Sequence, residues 1–304
     1  MAIPQEAVKQ KPSRGISATL ERITEMSVDT YYNPYKMFQW PESLPDDQWW
    51  MSRELMTVAN TRFTEELNES QLKALSKWES IYFYSLNVHG IRELLVEVVA
   101  RVQTPGYEEE SEFFHHFIGE ENEHMWFFAK FCWNYGKKIY PNRKLSFSIG
   151  ETSPEIESFL VFSRILIFEE IVDFFNSRMG RDETLDPIIR QVNSIHHQDE
   201  SRHIVFGREV VKKLHGYICE HESEDQVRAA EKYVKRYIVA SIQSLYNPIV
   251  YKDAGIPEPY KMRTELLADP ARRDVDRKTL RRTTDYMQKN GIIPKGDIFS
   301  ELSN

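Results

Sequence analysis

Two short stretches of the sequence combine glutamate and histidine at the spacing of one helical turn. Glu121 and His124 are three residues apart, and His196, Glu200 and His203 follow one another at intervals of four and three residues. Residues at these spacings lie on the same face of an α-helix, so each stretch would present its carboxylates and imidazoles together. Carboxylate oxygens and imidazole nitrogens are ligands for iron and related metals. The two stretches therefore predict a metal site.

Two further glutamates, Glu93 and Glu169, lie inside apolar runs that precede these stretches. Glu93 precedes Glu121 by 28 residues and Glu169 precedes Glu200 by 31, with a turn-forming sequence near the middle of each interval. We therefore expect each pair to meet at one height on two antiparallel helices. A glutamate on one helix and Glu-x-x-His on the next, present twice, is the pattern of carboxylate-bridged di-iron proteins.

Neighbouring carboxylates leave two alternatives open. Glu97 lies one turn beyond Glu93 but closer to the turn, so the register with Glu121 favours Glu93. Glu170 is adjacent to Glu169, and register alone gives Glu169 only a small advantage.

Other polar residues near the pattern have more ordinary interpretations. Glu112 and His115 repeat the Glu-x-x-His spacing, but they lie at the start of their helix and half a turn out of phase with Glu121, so we expect them at the surface or in an interface. His197 lies about 100° around the helix from the face that carries His196, Glu200 and His203, and His89 lies one turn before Glu93. For both histidines, these positions favour a place in the core or a role as a hydrogen-bonding partner. Asp199 and Asp173 are in register to accept hydrogen bonds from ligand imidazoles, or to be surface carboxylates.

The elements that would position these residues are four long segments with helical periodicity, 70–102, 109–137, 154–178 and 184–217. Short turns join the first to the second and the third to the fourth, whereas a longer non-helical stretch joins the two pairs. A serine cap and a proline mark the start of the third segment at 153–154. Two tight hairpins joined by a long crossover are typical of ferritin-like bundles. The sequence predicts an all-α fold with such a four-helix core.

Outside the core, the sequence predicts additional helices within a single domain that spans 1–304. The core would occupy 70–217. The other predicted parts are an irregular N-terminal arm over 1–45 with one short helix, a helical stretch over 46–67, and C-terminal helices over 223–304, near 223–247 and 271–289.

Composition limits the partners and the compartment. The net charge is −8 and the isoelectric point is about 5.7, which argues against binding nucleic acid or an anionic membrane. Two cysteines in 304 residues do not form a disulfide framework. We find no apolar h-region and no run of about 18 apolar residues. We therefore expect a cytoplasmic protein that does not enter a membrane.

The chain resembles the p-aminobenzoate N-oxygenase (AurF-type) family of di-iron oxygenases over about residues 80–210. The residues that carry the resemblance are Glu169, Arg181-Asp182, Thr184, Pro187, His196, Asp199-Glu200 and His203. The resemblance supports Glu169 over Glu170. A histidine one turn before the second Glu-x-x-His marks the family, and here that position is His196. The resemblance to the family is weakest around Glu93.

The resemblance implies a ligand set, a cofactor and a reaction. The implied ligands of two iron ions are Glu93, Glu121, His124, Glu169, His196, Glu200 and His203. The implied reaction uses dioxygen to oxidise an amine nitrogen to a hydroxylamine, and further to nitroso or nitro. No Gly-x-Gly-x-x-Gly motif or P-loop is present, so electrons would come from a separate donor.

Several functional alternatives remain at this stage. The metal site would also suit hydroxylation or desaturation of a carbon chain, or a non-catalytic iron-binding bundle. The expected substrate is a biosynthetic small-molecule amine, free or tethered to a carrier protein, and we expect a homodimer. A basic segment, 272–282, is interpreted as a solvated helix face, with docking of a carrier's phosphopantetheine or of a carboxylate substrate as the alternative.

Overall fold

A computed structural model of the chain describes residues 14–143, 145 and 147–300; the first 13 residues of the predicted arm lie outside this range. Within the described residues the regular elements are helices, and the only bridge of β type is an isolated pair, Trp49 and Leu185. The α-helices are α1 (Arg14–Asp29), α2 (Pro34–Met37), α3 (Phe63–Glu66), α4 (Glu69–Val99), α5 (Ser111–Phe131), α6 (Pro154–Met179), α7 (Pro187–His221), α8 (Glu224–Ser244), α9 (Pro248–Asp253), α10 (Pro259–Ala268) and α11 (Pro270–Lys289).

The core consists of two antiparallel hairpins, α4 with α5 and α6 with α7, packed against each other. Phe83 of α4 stacks on Phe175 of α6 with ring centroids 5.0 Å apart, while Gly90 lies against Phe168. The long connection between α5 and α6 begins with a π-helical turn, Cys132–Gly136, and its other described residues form no regular helix. The predicted all-α, ferritin-like bundle of two hairpins and a crossover is confirmed.

Local sequence signals explain where the core helices begin. The side chain of Asn68 accepts a hydrogen bond from Gln71 N, and the side chain of Gln71 accepts one from Asn68 N, so α4 opens with a capping box. The side chain of Ser153 accepts a hydrogen bond from Ile156 N and thereby caps α6, and proline follows at the first helical position. These side chains satisfy backbone N–H groups that have no partner inside the helix.

Two predicted segments differ from the structure. Residues 46–67 do not form a helix over their length: they contain a 3₁₀ turn, Arg53–Leu55, and the four-residue α3. Trp50, Met51, Met56 and Val58 are all buried although they do not share one helical face, because turns direct them toward the core on several sides. The prediction of a helical stretch over 46–67 is therefore wrong.

The N-terminal arm is more helical than expected. Helix α1 runs for 16 residues and packs against α5 and α7. Its buried residues Ile16, Leu20 and Ile23 follow helical spacing and form the apolar stripe by which α1 contacts the bundle.

The C-terminal helices pack against both hairpins. Helices α8 and α11 contact α6, and α9 contacts α4. The predicted basic segment lies on α11, but it is not uniformly solvated, because Arg272 is buried and binds Asp276. Among the helices of the described residues, none has both the length and the apolar character needed to cross a bilayer.

Candidate metal centre

Six of the predicted ligands lie together at the centre of the bundle, where their side chains are buried. They form two groups whose potential ligand atoms lie within 4.8 Å of one another. One group contains Glu121, His124, His196 and Glu200, and the other contains Glu121, Glu169, Glu200 and His203. Two carboxylates are common to both groups, so the cluster can hold two metal ions that share bridging ligands.

The second hairpin has the predicted register. Glu169 of α6 and Glu200 of α7 belong to the same group. The neighbouring Glu170 points elsewhere, and its Oε1 accepts a hydrogen bond from Arg208 Nε at 2.7 Å. The structure therefore places Glu169 in the cluster and pairs Glu170 with an arginine of α7.

Glu93 is not where the sequence predicted it. Its side chain is exposed, and its Oε1 accepts a hydrogen bond of 2.6 Å from Asn142 Nδ2 in the crossover. The reason is the phase of α4, whose buried residues in this stretch are Ile91, Leu94 and Val98, leaving Glu93 on another face. Glu97 also lies apart and pairs with Arg101 at 2.9 Å.

The cluster contains polar atoms that are buried and lack hydrogen-bond partners. They are Glu121 Oε2, both carboxylate oxygens of Glu169, both of Glu200, His196 Nε2 and His203 Nδ1. Some lie close together without the geometry of a hydrogen bond, such as His203 Nδ1 and Glu121 Oε1 at 2.8 Å. Buried polar atoms without partners are costly. Electron-pair donors that converge in this way fit a site for metal cations.

Each cluster histidine has its second ring nitrogen against another side chain. His124 Nε2 lies 3.0 Å from Asp199 Oδ2, and His203 Nε2 lies 2.7 Å from Glu120 Oε2. His196 Nδ1 contacts the carboxamide of Asn176. Such contacts fix the ring orientation of metal-binding histidines. The unpartnered Asn176 Oδ1 can accept from His196 Nδ1–H after rotation of that amide.

Arg202 joins two of these acceptors. Its NH2 donates to Asp199 Oδ1 at 2.6 Å and to Glu120 Oε1 at 2.7 Å. The N-terminal segment between α1 and α2 adds to the network, since Tyr32 OH donates to Asp199 Oδ2 at 2.7 Å and Thr30 Oγ1 accepts from Arg202 NH1 at 3.2 Å. A hydrogen-bonded layer therefore separates the cluster from the solvent side of α1.

The remaining polar residues of the sequence pattern have other contacts. Asp173 binds Arg282 at 2.9 Å and pairs with the half-buried His197, so Asp199 alone of the two predicted aspartates contacts a cluster histidine. His89 Nε2 contacts Tyr140 O at 2.6 Å. The 112–115 pair is exposed, as expected.

Burial and mutual proximity shift the acidities within the cluster. Burial and the carboxylates of Glu200 and Glu121 raise the pKa of Glu169 well above its usual value. Burial and the adjacent His124 hold the pKa of His196 well below its usual value. Burial alone would lower the pKa of His124, but Glu121 and Asp199 raise it to about 10.

Aromatic rings enclose the cluster. The ring of Phe117 lies 4.5 Å from that of His203, and the ring of Phe128 lies 4.8 Å from that of His196. Both phenylalanines are almost fully buried. These rings exclude water from the side of the cluster formed by α5.

Several residues that support the site were not found from sequence. Glu120 and Arg202 each directly precede a predicted ligand, and this adjacency was the available signal. Tyr32 lies outside any helix and 167 residues before Asp199. No periodicity connects residues so far apart, so only the fold brings them together.

Comparisons with known proteins give one family match. The sequence profile of the family described as "P-aminobenzoate N-oxygenase AurF" matches residues 14–291. Among curated proteins, none matches.

Solved structures with some similarity are R2-like ligand-binding oxidases. A variant with an anaerobically reconstituted Mn/Fe cofactor has 14% sequence identity and a TM-score of 0.49, covering 93% of this chain and 94% of that chain. The enzyme from Sulfolobus acidocaldarius has 16% identity and a TM-score of 0.36, covering 91% and 95%. At these scores the likeness adds nothing to the geometry above.

Proposed function

The chain belongs to the p-aminobenzoate N-oxygenase (AurF) family, and from this premise we propose that it is a di-iron enzyme that uses dioxygen to oxidise the nitrogen of an amine. The observation that supports this most directly is the pair of overlapping donor groups, which share Glu121 and Glu200. A di-iron oxygenase needs ligands for two adjacent metal ions, with carboxylates shared between them, and this arrangement can supply those ligands.

The donor set suits iron. It combines hard carboxylate oxygens with three imidazole nitrogens from His124, His196 and His203, and this mixture accommodates both ferrous and ferric ions. Iron bound here would supply the reducing equivalents and coordination positions for activating dioxygen. The seventh predicted ligand, Glu93, is not part of this proposal.

The protein's own residues have two tasks in this reaction. Asp199 and Glu120 accept hydrogen bonds from His124 and His203, which keeps each inner nitrogen directed at the cluster. The phenylalanine rings exclude water, so polar interactions inside are less screened.

The substrate and partners belong to the proposal as well. We propose a biosynthetic small-molecule amine, free or carrier-tethered, and electrons from an external donor. We also propose a homodimer. Oxidation beyond the hydroxylamine would follow from repeated turnover on the same nitrogen.

The function can be tested with purified protein loaded with Fe²⁺ without oxygen. We expect about two iron ions per chain, no flavin absorbance, and oxygen consumption that increases with p-aminobenzoate or another amine. Fatty acyl substrates serve as the comparison. Oxygen uptake with fatty acyl substrates only would favour carbon-chain hydroxylation or desaturation. One iron ion or none per chain would contradict the di-iron proposal.

A further inference from the structure

Helix α4 faces the metal cluster without offering it a carboxylate. In the di-iron pattern, two helices each supply one glutamate, and here α6 supplies Glu169. Each of the four glutamates of α4 is placed elsewhere. Glu69 pairs with Lys73, Glu79 accepts from Thr57, Glu93 accepts from Asn142 and Glu97 pairs with Arg101.

Two contacts identify the part of α4 that lies level with the cluster. Asn193 Nδ2, one turn before His196, donates to Tyr84 OH at 2.7 Å. Further along α4, Gly90 lies against the ring of Phe168, the residue before Glu169. The stretch of α4 between Tyr84 and Gly90 therefore spans the height of His196 to Glu169.

Asn87 lies in this stretch, one turn after Tyr84 and on the same face. It is fully buried, and its Nδ2 donates to Phe83 O at 2.8 Å. Its Oδ1 has no hydrogen-bond partner. The other buried polar residue of the stretch, Ser85, has its hydroxyl engaged with Ile81 O and Tyr140 N. Asn87 Oδ1 is therefore the buried side-chain oxygen of this stretch that is free to donate an electron pair to a metal ion.

We propose that Asn87 takes the place of the missing glutamate and contributes a neutral carboxamide oxygen to one of the two metal ions. This inference rests on the proposed function. Two ferrous ions carry four positive charges, and Glu121, Glu169 and Glu200 supply three negative charges. The neutral amide leaves one positive charge uncompensated, so the two ions are bound with unequal affinity, and the ion nearer α4 is the weaker.

Two substitutions of nearly unchanged size test this. Asn87→Leu removes the oxygen, and Asn87→Asp adds the missing charge. Stepwise Fe²⁺ affinities are measured without oxygen by calorimetry and by competition with a chromogenic chelator. We expect Asn87→Leu to weaken one of the two ions at least tenfold and Asn87→Asp to tighten the same ion at least tenfold. The affinity for the other ion changes little.

Asn193→Asp is the matched control, because Asn193 is equally buried and its Oδ1 also lacks a partner, but it lies one turn below the cluster. If both Asn87 variants have unchanged Fe²⁺ affinities, this inference is wrong while the proposed function stands. The same holds if Asn193→Asp shifts the affinity as much as Asn87→Asp does. Wild-type protein that binds fewer than two Fe²⁺ ions overturns the proposed function and this inference together. If Asn87→Asp does not fold, the Leu variant decides.

Discussion

The acceptors behind the three cluster histidines differ in charge. His124 and His203 face the carboxylates of Asp199 and Glu120, whereas His196 faces the carboxamide of Asn176. A carboxylate behind an imidazole makes the ring a stronger donor to a metal than a neutral acceptor does. At the residue scale, His196 is therefore the imidazole with the weakest support, and Asp199 is the acceptor with the most connections.

The role of Asp199 predicts the effect of Asp199→Asn. The substitution keeps the shape but removes the charge that faces His124, and we expect iron affinity to fall about 10- to 100-fold. Release of iron to a chelator measures this. Asp173→Asn is the control, since Asp173 contacts His197 and Arg282 and not a cluster histidine. An equal loss in both variants would show that the effect is not specific to His124.

His196 and His197 allow a second comparison at this scale. We expect His196→Ala to lower the iron content of the purified protein, because one donor nitrogen of the cluster is lost. His197→Ala should leave it near that of the wild type, because that ring is half-buried and pairs with Asp173. Metal analysis after identical reconstitution distinguishes the two. Loss of iron in His197→Ala alone would show that the register assigned to α7 is wrong.

Among the elements, α4 and α6 approach closely at Gly90. A Cβ atom at this position would lie 2.4 Å from the Phe168 ring, so only glycine allows this contact. The close approach brings the backbone of α4 beside the residue that precedes Glu169. The packing of these two helices thus determines how Glu169 enters the cluster.

Gly90→Ala should therefore destabilise the protein by about 1–3 kcal/mol, because the added methyl group displaces the Phe168 ring. Gly119→Ala is the control: a Cβ there meets nothing within 4 Å, and alanine is favoured over glycine inside a helix by about 1 kcal/mol. Thermal unfolding of both variants measures the difference. A Gly90→Ala variant as stable as Gly119→Ala would contradict this account of the helix contact.

The two hairpins differ in how well they could be predicted. In the second, a short turn and clear caps fix the register, so Glu169 and Glu200 were paired correctly. In the first, the connection between Val99 and Ser111 is longer, and the phase of α4 depends on which of its faces the rest of the bundle covers. Glu93 was misplaced for this reason. Asn87 carries no sequence signal of its own, since a lone asparagine in an apolar run is ordinary.

Across the whole molecule, a second buried polar network connects elements distant in sequence. Thr57, in the segment before α4, donates its backbone N–H to Glu79 at 3.1 Å and accepts from Tyr251 OH of α9 at 3.0 Å. Arg272 of α11 donates to Met56 O at 2.9 Å. These contacts join four separate parts of the chain around one buried carboxyl group.

Burial raises the pKa of Glu79 from 4.5 to about 7, against the opposing effects of Thr57 and Arg272. Between these values the folded protein binds the proton more tightly than the unfolded chain, so stability falls as the pH rises through this window and then levels off. Across this pH window the free energy of unfolding falls by about 3 kcal/mol.

Glu79→Gln should remove this part of the pH dependence, because a carboxamide does not titrate. Melting temperatures of wild type and variant at several pH values between 5 and 8 measure it. We expect the variant to gain stability relative to wild type as the pH rises. Parallel curves would show that Glu79 does not titrate in this range.

The contact between Tyr32 and Asp199 also has a consequence for biosynthesis. The two residues are 167 positions apart, and ribosomes add about 5–20 residues per second. Tyr32 is therefore synthesised roughly 8 to 33 s before the carboxylate that it binds. In the part of this interval between the synthesis of His124 and that of Glu169, the hairpin of α4 and α5 carries Glu121 and His124, whereas the other four cluster residues do not yet exist. Binding of iron to the complete site must therefore follow translation of α7. Until then the nascent chain can offer only part of the ligand set to metal ions in solution.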